Sequence, residues 1–251
     1  MRDLRCVAIV QARMGSTRLP GKVLAEIGGK PMLAWVIDRA RLAQSLDDVS
    51  VATSIENEDQ PIVDLCREQG YACCRGNMAD VLDRYHHCAD GSNAEVVVRL
   101  TADCPLIDPG LIDQTVEAFL VSDPPVAFAT NRLPWDRTYP IGLDVEVCSK
   151  DVLDTAWREA ELPHQREHVM PFIYENPERF SILELRSETN YGDMRWTVDT
   201  QADLHLIREI VERLGVQDDF TWMDVLALFE SDPGLKQMNI DIQQKNHLDV
   251  G

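Results

Sequence analysis

The strongest constraint on the fold is the regular alternation of short apolar runs with helix-like segments along the first half of the chain. Strands are predicted at Cys6–Gln11, Val49–Thr53, Tyr71–Cys74 and Glu95–Leu100. Helices are predicted at Met32–Gln44, Ile62–Gln69, Asp80–Ala89 and Pro109–Ser122. A βαβα order of this kind favours an α/β fold, with a mostly parallel, Rossmann-like sheet, right-handed crossovers and helices on both faces.

The alternation stops after about Thr130, and residues 131–141, with two prolines and two aromatics, are predicted to form a loop. Further strands are predicted at Leu143–Cys148, Ser181–Leu185 and Arg195–Val198. Further helices are predicted at Lys150–Glu161, Arg166–Asn176, Thr200–Leu214 and Trp222–Glu230. We therefore expect a single domain over residues 1–238, with a small inserted α+β subdomain at about 131–190, and then a polar tail at 239–251.

The overall charge and hydropathy restrict the partners of the protein. A net charge of −19 argues against nucleic acid, because binding to a phosphate backbone requires a basic surface. No apolar run approaches the ~20 residues that span a bilayer, and Cys6–Val10 is too short for the core of a secretory signal. These observations predict a cytoplasmic protein with no nucleic-acid partner and no membrane partner.

The seven cysteines predict buried free thiols, because their number is odd and no C-x-x-C pair suggests a disulfide framework or a zinc ribbon. His86, His87 and Cys88 are consecutive on a predicted helix, so their side chains should point to different faces. We therefore expect no zinc site at these residues.

One loop departs from the acidic character of the chain, because Gln11–Lys22 contains three cations and no acid. Its cations and its glycines are Arg13, Arg18, Lys22, Gly15 and Gly21. Glycines allow the backbone to approach an anion closely, so the segment is a candidate phosphate-binding loop, although a solvated basic loop has the same composition. It is not a Walker A loop, because five residues separate the glycines and Val23 replaces the magnesium-binding Ser or Thr. It also lacks the G-x-G-x-x-G pattern of dinucleotide-binding enzymes.

Two aspartates follow other predicted strands and should meet this loop, because ligands bind outside the carboxyl ends of parallel strands. Asp103 lies in Thr101–Asp108, after one strand, and Asp199 directly follows Arg195–Val198. Magnesium takes one or two protein carboxylates together with phosphate oxygens, so both side chains are candidate ligands. Each has a structural alternative, since Asp103 could cap its turn and Asp199 could cap the next helix.

The loop sequence VQARMGSTRLPGKVL at 10–24 resembles the signature of the cytidylyltransferases that make CMP-acylneuraminate and CMP-Kdo. Similar segments follow in the family's order: Arg75-Gly76, DVLDRY at 80–85, RLTADCPLID at 99–108, GLDVEV at 142–147, REHV at 166–169 and WTVDTQADL at 196–204. The resemblance is strongest to the branch that contains the spore coat polysaccharide biosynthesis protein SpsF. It implies a GT-A-like nucleotidyltransferase fold, CTP as co-substrate, Mg2+ as cofactor and a homodimer whose contacts the segment 131–190 could supply.

The same resemblance implies roles for individual residues. The expected catalytic residues are Lys22, Arg13 and Asp103, and the expected metal ligands are Asp103 and Asp199. The expected nucleotide contacts are Gln11, Ala12, Gly15, Ser16, Arg18, Lys22, Arg75, Asp80 and Thr101. Arg75 and Asp80 lie where the family reads cytosine and ribose, although Arg75 could also be an ordinary surface cation. Glu146, Glu167 and His168 lie where the sugar acid is expected, although a Glu–His pair on a helix is often structural.

The implied reaction is transfer of CMP from CTP to the anomeric hydroxyl of a nonulosonic-type sugar acid, with release of pyrophosphate, in surface or spore-coat polysaccharide biosynthesis. A metal-dependent glycosyltransferase and a non-catalytic nucleotide-binding protein on the same scaffold remain alternatives. The first normally has Asp-x-Asp at a strand end, whereas here Cys104 and Pro105 follow Asp103. The presence of Lys22, Asp103 and Asp199 together argues against the second.

Overall fold

A seven-stranded sheet forms the centre of the computed structural model, which describes residues 4–217, 219–243 and 248. The strands in chain order are β1 (Cys6–Gln11), β2 (Glu26–Ile27), β3 (Lys30–Pro31), β4 (Asp48–Ser54), β5 (Ala72–Gly76), β6 (Val96–Thr101), β7 (Phe128–Thr130), β8 (Arg132–Leu133), β9 (Asp136–Arg137), β10 (Glu146–Ser149) and β11 (Ile182–Glu184). The helices are α1 (Met32–Ala40), α2 (Gln60–Gln69), α3 (Val81–Gly91), α4 (Pro109–Val121), α5 (Lys150–Glu159), α6 (Pro163–His168), α7 (Pro171–Tyr174), α8 (Gln201–Leu214), α9 (Trp222–Ser231) and α10 (Gly234–Gln237).

The central sheet has the spatial order β11-β7-β10-β6-β1-β4-β5. β1 pairs in parallel with both β4 and β6, and β10 alone runs antiparallel, between β6 and β7. The predicted mostly parallel sheet is therefore confirmed. From β1 the chain proceeds outward to β4 and β5, then returns to β6 on the other side of β1. Such a reversal creates a crevice at the carboxyl ends of the two central strands, where ligands bind in open α/β sheets.

Helices cover both faces of the sheet, as the alternating side chains of β1 require. Ala8 and Val10 belong to a core that includes residues of α1, α4, α8 and α9. Val7 and Ile9 belong to a second core that includes residues of α3, α5 and α7. Strand residues that alternate between two cores are buried on both faces, so an apolar run without polar alternation can still form a strand.

Local signals in the sequence set several of the element ends. Asp108 caps α4 by accepting a hydrogen bond from the backbone N–H of Leu111, at 3.0 Å. Gly70 follows α2 in the left-handed conformation, with φ of 69°, as a helix-ending glycine does. Both predictions are confirmed, and α1 ends at Ala40, four residues earlier than Gln44.

Two predicted elements differ from the structure. Arg195–Val198 is not a strand; it forms one isolated bridge from Arg195 to Ile141 and is tied through Trp196 N–H to the Ile141 carbonyl at 2.7 Å. The predicted helix Arg166–Asn176 is two short helices, α6 and α7. Pro171, which has no N–H to donate, begins the second one, and the chain turns sharply before it.

The segment 131–190 contributes both to the central sheet and to the cover of one face. Residues 131–141 contain the short β8–β9 hairpin instead of a plain loop, and β10 and β11 are strands of the central sheet. The predicted polar tail begins with ordered packing, because Asn239 is only 7% exposed. Of that tail, residues 244–247 and 249–251 lie outside the described residues.

The prediction that the cysteines are buried free thiols is wrong for three residues, since Cys73 is free but exposed and two others are paired. Cys74 on β5 and Cys88 on α3 form a disulfide, with their Cα atoms 5.8 Å apart. The sequence spacing could not reveal this pair, because it is the packing of α3 on β5 that brings the two residues together. Among the described residues, no helix combines the length and the apolar character needed to cross a membrane.

Candidate active site

A cleft of about 790 Å³ opens at the carboxyl ends of β1 and β6. Gln11 and Thr101, the last residues of these strands, are register neighbours, so the loops that follow them begin side by side. Of the residues predicted for the site, those that line the cleft are Gln11, Ala12, Arg13, Ser16, Arg18, Lys22, Thr101, Asp103, Glu146, Glu167, His168 and Asp199. The predicted convergence of three separate polar clusters on one rim is therefore confirmed.

The loop after β1 is shaped by its own backbone and by a buried aspartate. Asp59, which is fully buried, accepts a hydrogen bond from the Met14 N–H at 2.7 Å. The Met14 carbonyl in turn accepts hydrogen bonds from the N–H groups of Ser16 and Gly21, both at 2.9 Å. Gly21 has φ of 71°, a conformation that favours glycine, and it directs the following Lys22 into the cleft.

Lys22 connects the two predicted metal ligands. Its Nζ donates to Asp103 Oδ2 at 2.9 Å, to Asp199 Oδ1 at 2.8 Å and to the Val198 carbonyl at 2.7 Å. The two aspartates lie on segments that are tied to each other, because the Val198 N–H donates to the Asp103 carbonyl at 2.8 Å. We call Lys22, Asp103 and Asp199 the central triad.

Charge and burial act in opposite directions on the central triad. Burial alone would raise the pKa of Asp103, but the positive charge of Lys22 outweighs it and lowers that pKa. For Asp199, burial and the charge of Asp103 raise the pKa, and Lys22 and Arg195 together lower it below its usual value. Burial would lower the pKa of Lys22, and the two carboxylates raise it instead. All three groups are therefore charged at neutral pH.

Another part of the cleft lining carries three arginines and two carboxylates, which we call the arginine wall. Its members are Arg99, Arg132, Arg137, Asp144 and Glu146. Arg99 hydrogen-bonds to Glu146, and Arg137 donates to Asp144 Oδ2 at 3.0 Å. Arg132 lies 3.5 Å from Asp144 and 3.6 Å from Glu146. Burial would lower the pKa of Arg137, but Asp144 raises it, so this guanidinium is fully charged.

Glu167 and His168 also reach the cleft, from the end of α6. Arg13 lies 3.6 Å from Glu167, and so links the loop after β1 to this helix. The next residue, Val169, is fully buried and has φ of 72° and ψ of −58°. The Met170 N–H donates to the His168 carbonyl at 2.9 Å, which closes a strained three-residue turn around Val169. Such a conformation is unusual for a β-branched residue, and it lies directly beside Glu167 and His168.

Three predicted nucleotide contacts, Gly15, Arg75 and Asp80, are not among the residues that line the cleft. Arg75 donates to the carbonyls of Ser54 and Glu56, each at 2.8 Å. Asp80 caps α3 and accepts hydrogen bonds from Arg166 Nε at 3.0 Å. Both side chains thus hold elements around the cleft together, and their expected nucleotide contacts stay predictions.

Sequence reasoning missed the arginine wall, apart from Glu146, and it missed Asp59. Arg99 did carry a signal, because a charged residue inside the apolar run of β6 has to find a buried partner or a ligand. Asp144 lies in the family-like segment GLDVEV at 142–147, which was not used to assign it a role. Arg132 and Arg137 carried no signal, since they lie in a stretch whose path depends on how β10 joins the sheet.

Outside the cleft, His86, His87 and Asp90 have ligand atoms within 4.8 Å of one another. The two histidine side chains therefore lie closer together than the prediction that they point to different faces implies. His86 Nδ1 lies 2.8 Å from Asp154, and Lys150 Nζ lies 2.7 Å from Asp90. His87 and Asp90 are exposed to solvent, and we assign this group no metal.

Comparison with known proteins agrees with this geometry. The sequence profile of the cytidylyltransferase family matches residues 7–246. The chain is 31% identical to the spore coat polysaccharide biosynthesis protein SpsF of Bacillus subtilis, over 90% of this chain and 94% of that protein. It is 36% identical to a 3-deoxy-manno-octulosonate cytidylyltransferase of a Psychrobacter species, over 66% of this chain and 61% of that protein.

Among solved structures, the chain is similar to a cytidylyltransferase from Leptospira borgpetersenii, with a TM-score of 0.88 and 30% identity. That match covers 96% of this chain and 99% of the other. The family profile covers nearly the whole chain, and the structural likeness extends over nearly all of both proteins. The chain belongs to the cytidylyltransferase family and is a cytidylyltransferase enzyme.

Proposed function

We propose that this cytidylyltransferase transfers CMP from CTP to the anomeric hydroxyl of a sugar acid, and releases pyrophosphate. The observation that carries the proposal is the pairing of two unlike walls in one cleft. The central triad suits a metal-bound triphosphate, and the arginine wall suits an anionic acceptor. The names of SpsF and of the 3-deoxy-manno-octulosonate enzyme support a sugar acid of the nonulosonic type and a role in polysaccharide biosynthesis, such as that of a spore coat or cell surface.

The central triad fits a divalent metal ion, and we propose Mg2+. Both aspartates offer hard carboxylate oxygens, and one cationic group, the Lys22 ammonium, already lies within 2.9 Å of both. The ammonium occupies the place of a cation that bridges two carboxylates. Mg2+ bound by Asp103 and Asp199 would neutralise charge on the phosphate oxygens and leave its remaining positions to phosphate and water.

The loop after β1 is proposed to hold the triphosphate. Arg13, Ser16, Arg18 and Lys22 line the cleft beside the two aspartates. The two carboxylates raise the pKa of Lys22, so its ammonium stays charged beside both aspartates. It would donate to phosphate oxygens and stabilise the charge that develops on the leaving pyrophosphate. Such a reaction asks little covalent chemistry of the protein, so positioning and charge neutralisation carry most of the catalysis.

The arginine wall is proposed to hold the acceptor. Three guanidiniums there share two carboxylates, so the wall has one positive charge in excess. Arginine binds carboxylates through two parallel hydrogen bonds, a geometry well suited to the carboxylate of a sugar acid. Glu167 and His168 lie near enough to contact acceptor hydroxyls from the α6 side.

Product analysis tests this proposal. The protein is incubated with CTP, Mg2+ and a nonulosonic acid, and the mixture is examined by phosphorus NMR and mass spectrometry. We expect a CMP–sugar phosphodiester and pyrophosphate in equal amounts. Cleavage of CTP without a sugar adduct would contradict the acceptor assignment, and CTP left intact with every acid would contradict the reaction.

The proposal also includes a homodimer that forms through the segment 131–190, and action in the cytoplasm, where CTP is available. Trp135, at the tip of the β8–β9 hairpin, is 62% exposed, so its side chain would be available for a contact with another chain. Light scattering on the Trp135→Ser variant and on the unsubstituted protein tests the dimer. A mass of one chain for the unsubstituted protein would contradict it.

A further inference from the structure

The beginning of the C-terminal segment packs behind the central triad. Asn239 Nδ2 donates to Asp203 Oδ1 at 2.9 Å and to the Arg195 carbonyl at 3.0 Å. Both partners can only accept hydrogen bonds, so the orientation of the Asn239 amide is fixed by chemistry. Asn239 is only 7% exposed, so the beginning of the predicted polar tail is packed against the rest of the protein.

Asp203 is the centre of this arrangement. It is fully buried, and its carboxylate accepts hydrogen bonds from Arg195 Nε at 3.0 Å and from the Asp199 N–H at 3.0 Å. Thr200 adds its N–H and its hydroxyl, both at 2.9 Å. Burial alone would raise the pKa of Asp203, but the hydrogen bonds from Arg195 and Asn239 outweigh it and lower that pKa. The carboxylate is therefore ionised and holds both the backbone of Asp199 and the guanidinium beside it.

The guanidinium of Arg195 completes the link to the central triad. Its NH2 donates to Asp199 Oδ2 at 2.6 Å, while Lys22 holds the other oxygen of the same carboxylate. A second contact runs from the same segment, because Arg18 pairs with Asp199 Oδ2 at 2.8 Å and lies 3.5 Å from the Gln243 carbonyl. The C-terminal segment thus reaches Asp199 by two separate routes.

We propose that the C-terminal segment Asn239–Gln243 positions Asp199 for metal binding, with Asn239 acting through Asp203 and Arg195. This inference rests on the proposed function, in which Asp199 is a metal ligand. Mg2+ demands near-ideal octahedral geometry, so a carboxylate that turns freely is a poor ligand. Groups that hydrogen-bond to a ligating carboxylate set its direction, and their loss typically weakens metal binding about 10- to 100-fold.

The test compares Asn239→Leu, which keeps the branching at Cγ and removes both donors, with Asn176→Leu. Asn176 is a matched control, because its Nδ2 donates to a backbone carbonyl, that of Phe172 at 2.7 Å, and neither residue lines the cleft. Mn2+ replaces Mg2+ as the probe, and its binding to the CTP-bound protein is followed by electron paramagnetic resonance. We expect about tenfold weaker Mn2+ binding for Asn239→Leu and none of this loss for the control.

Steady-state kinetics give a second readout that a structural defect alone would not produce. The Mn2+ concentration needed for half-maximal turnover should rise about tenfold, while the KM for the acceptor stays unchanged. Should Asn239→Leu fail to fold, Asp203→Asn is measured in the same way, since it keeps the shape and weakens the hold on Arg195.

The outcomes separate this inference from the function beneath it. Equal Mn2+ affinity in folded Asn239→Leu and the unsubstituted protein would overturn the positioning role and leave the metal site intact. Failure of the unsubstituted protein to bind Mn2+ with CTP would overturn both.

Discussion

The two walls of the cleft differ in the kind of cation that faces the ligand. In the central triad, the Lys22 ammonium lies between Asp103 and Asp199, and Asp199 is also paired with Arg18 and Arg195. In the arginine wall, two carboxylates are shared by three guanidiniums. On the proposed function, the carboxylate oxygens of the triad would hold a metal, and the guanidinium in excess would receive an anion. One cleft would then bring a metal-bound triphosphate and an acidic acceptor together.

The largest expected effect comes from removing a carboxylate of the triad. Asp103→Asn should lower turnover at least about 100-fold, because electrostatic contacts of this kind contribute about 3 to 4 kcal/mol to transition-state stabilisation. The measurement is initial-rate kinetics at saturating CTP, and chelation of the metal should abolish turnover of the unsubstituted protein. Asp64→Asn is the control and should stay active, because Asp64 lies on α2 and is paired with the exposed Arg67, outside the cleft lining. A variant that keeps half its activity would contradict the role of Asp103.

Replacement of Lys22 should have opposite effects on metal binding and on catalysis. Lys22→Met should lower turnover about 100-fold, yet it should strengthen Mn2+ binding in the absence of CTP, because a competing cation is gone. Titration with Mn2+ followed by calorimetry checks the second effect, with Lys30→Met as control. Weaker Mn2+ binding in Lys22→Met would show that the ammonium does not occupy the metal's place.

A substitution in the arginine wall should weaken binding of the acceptor and leave binding of CTP unchanged. Arg137→Met should raise the KM for the sugar acid about tenfold or more, since a charged hydrogen bond is worth about 1.5 to 3 kcal/mol. CTP affinity, measured by calorimetry, should not change. Arg179→Met, an exposed arginine paired with Glu159, serves as control. A rise in the KM for CTP instead would mean that the two walls are assigned the wrong way round.

The smallest expected effect is on how the free energy of unfolding varies with pH. The pKa values of Asp103, Asp199 and Asp203 are lowered in the folded protein. Their ionised carboxylates therefore stabilise the fold fully at any pH above about 3.9, the pKa of an aspartate in the unfolded chain. It is lost as pH falls through the still lower folded values. Thermal unfolding between pH 3 and pH 7 should therefore show little change above about pH 5 and a steep decline below about pH 4. Asp203→Asn should make that decline shallower, and an unchanged acid profile would contradict its pairing.

The nucleotide half of the cleft was predictable from sequence because each of its charged residues lies in the segment that follows a predicted strand. Parallel strands bring their carboxyl ends to one edge, so Lys22, Asp103 and Asp199 could be grouped without coordinates. The grouping survived even though Arg195–Val198 is not a strand, because backbone hydrogen bonds hold that segment against Asp103.

The acceptor half could not be predicted in the same way. The short β8–β9 hairpin carries Arg132 and Arg137, and Asp144 lies between that hairpin and β10. These side chains meet Arg99 only because β10 inserts antiparallel between β6 and β7. Neither the break at Val169 nor the Asn239 contact has a local pattern that would reveal it. Side chains in such places are set by long-range packing, which composition and spacing do not encode.

The central claim is most directly tested by pyrophosphate release with each of the four nucleoside triphosphates, Mg2+, and a panel of nonulosonic acids and hexose phosphates. The account predicts release with CTP and a sugar acid, and none with a hexose phosphate. Release with a hexose phosphate, or failure of CTP to bind at all, would contradict it.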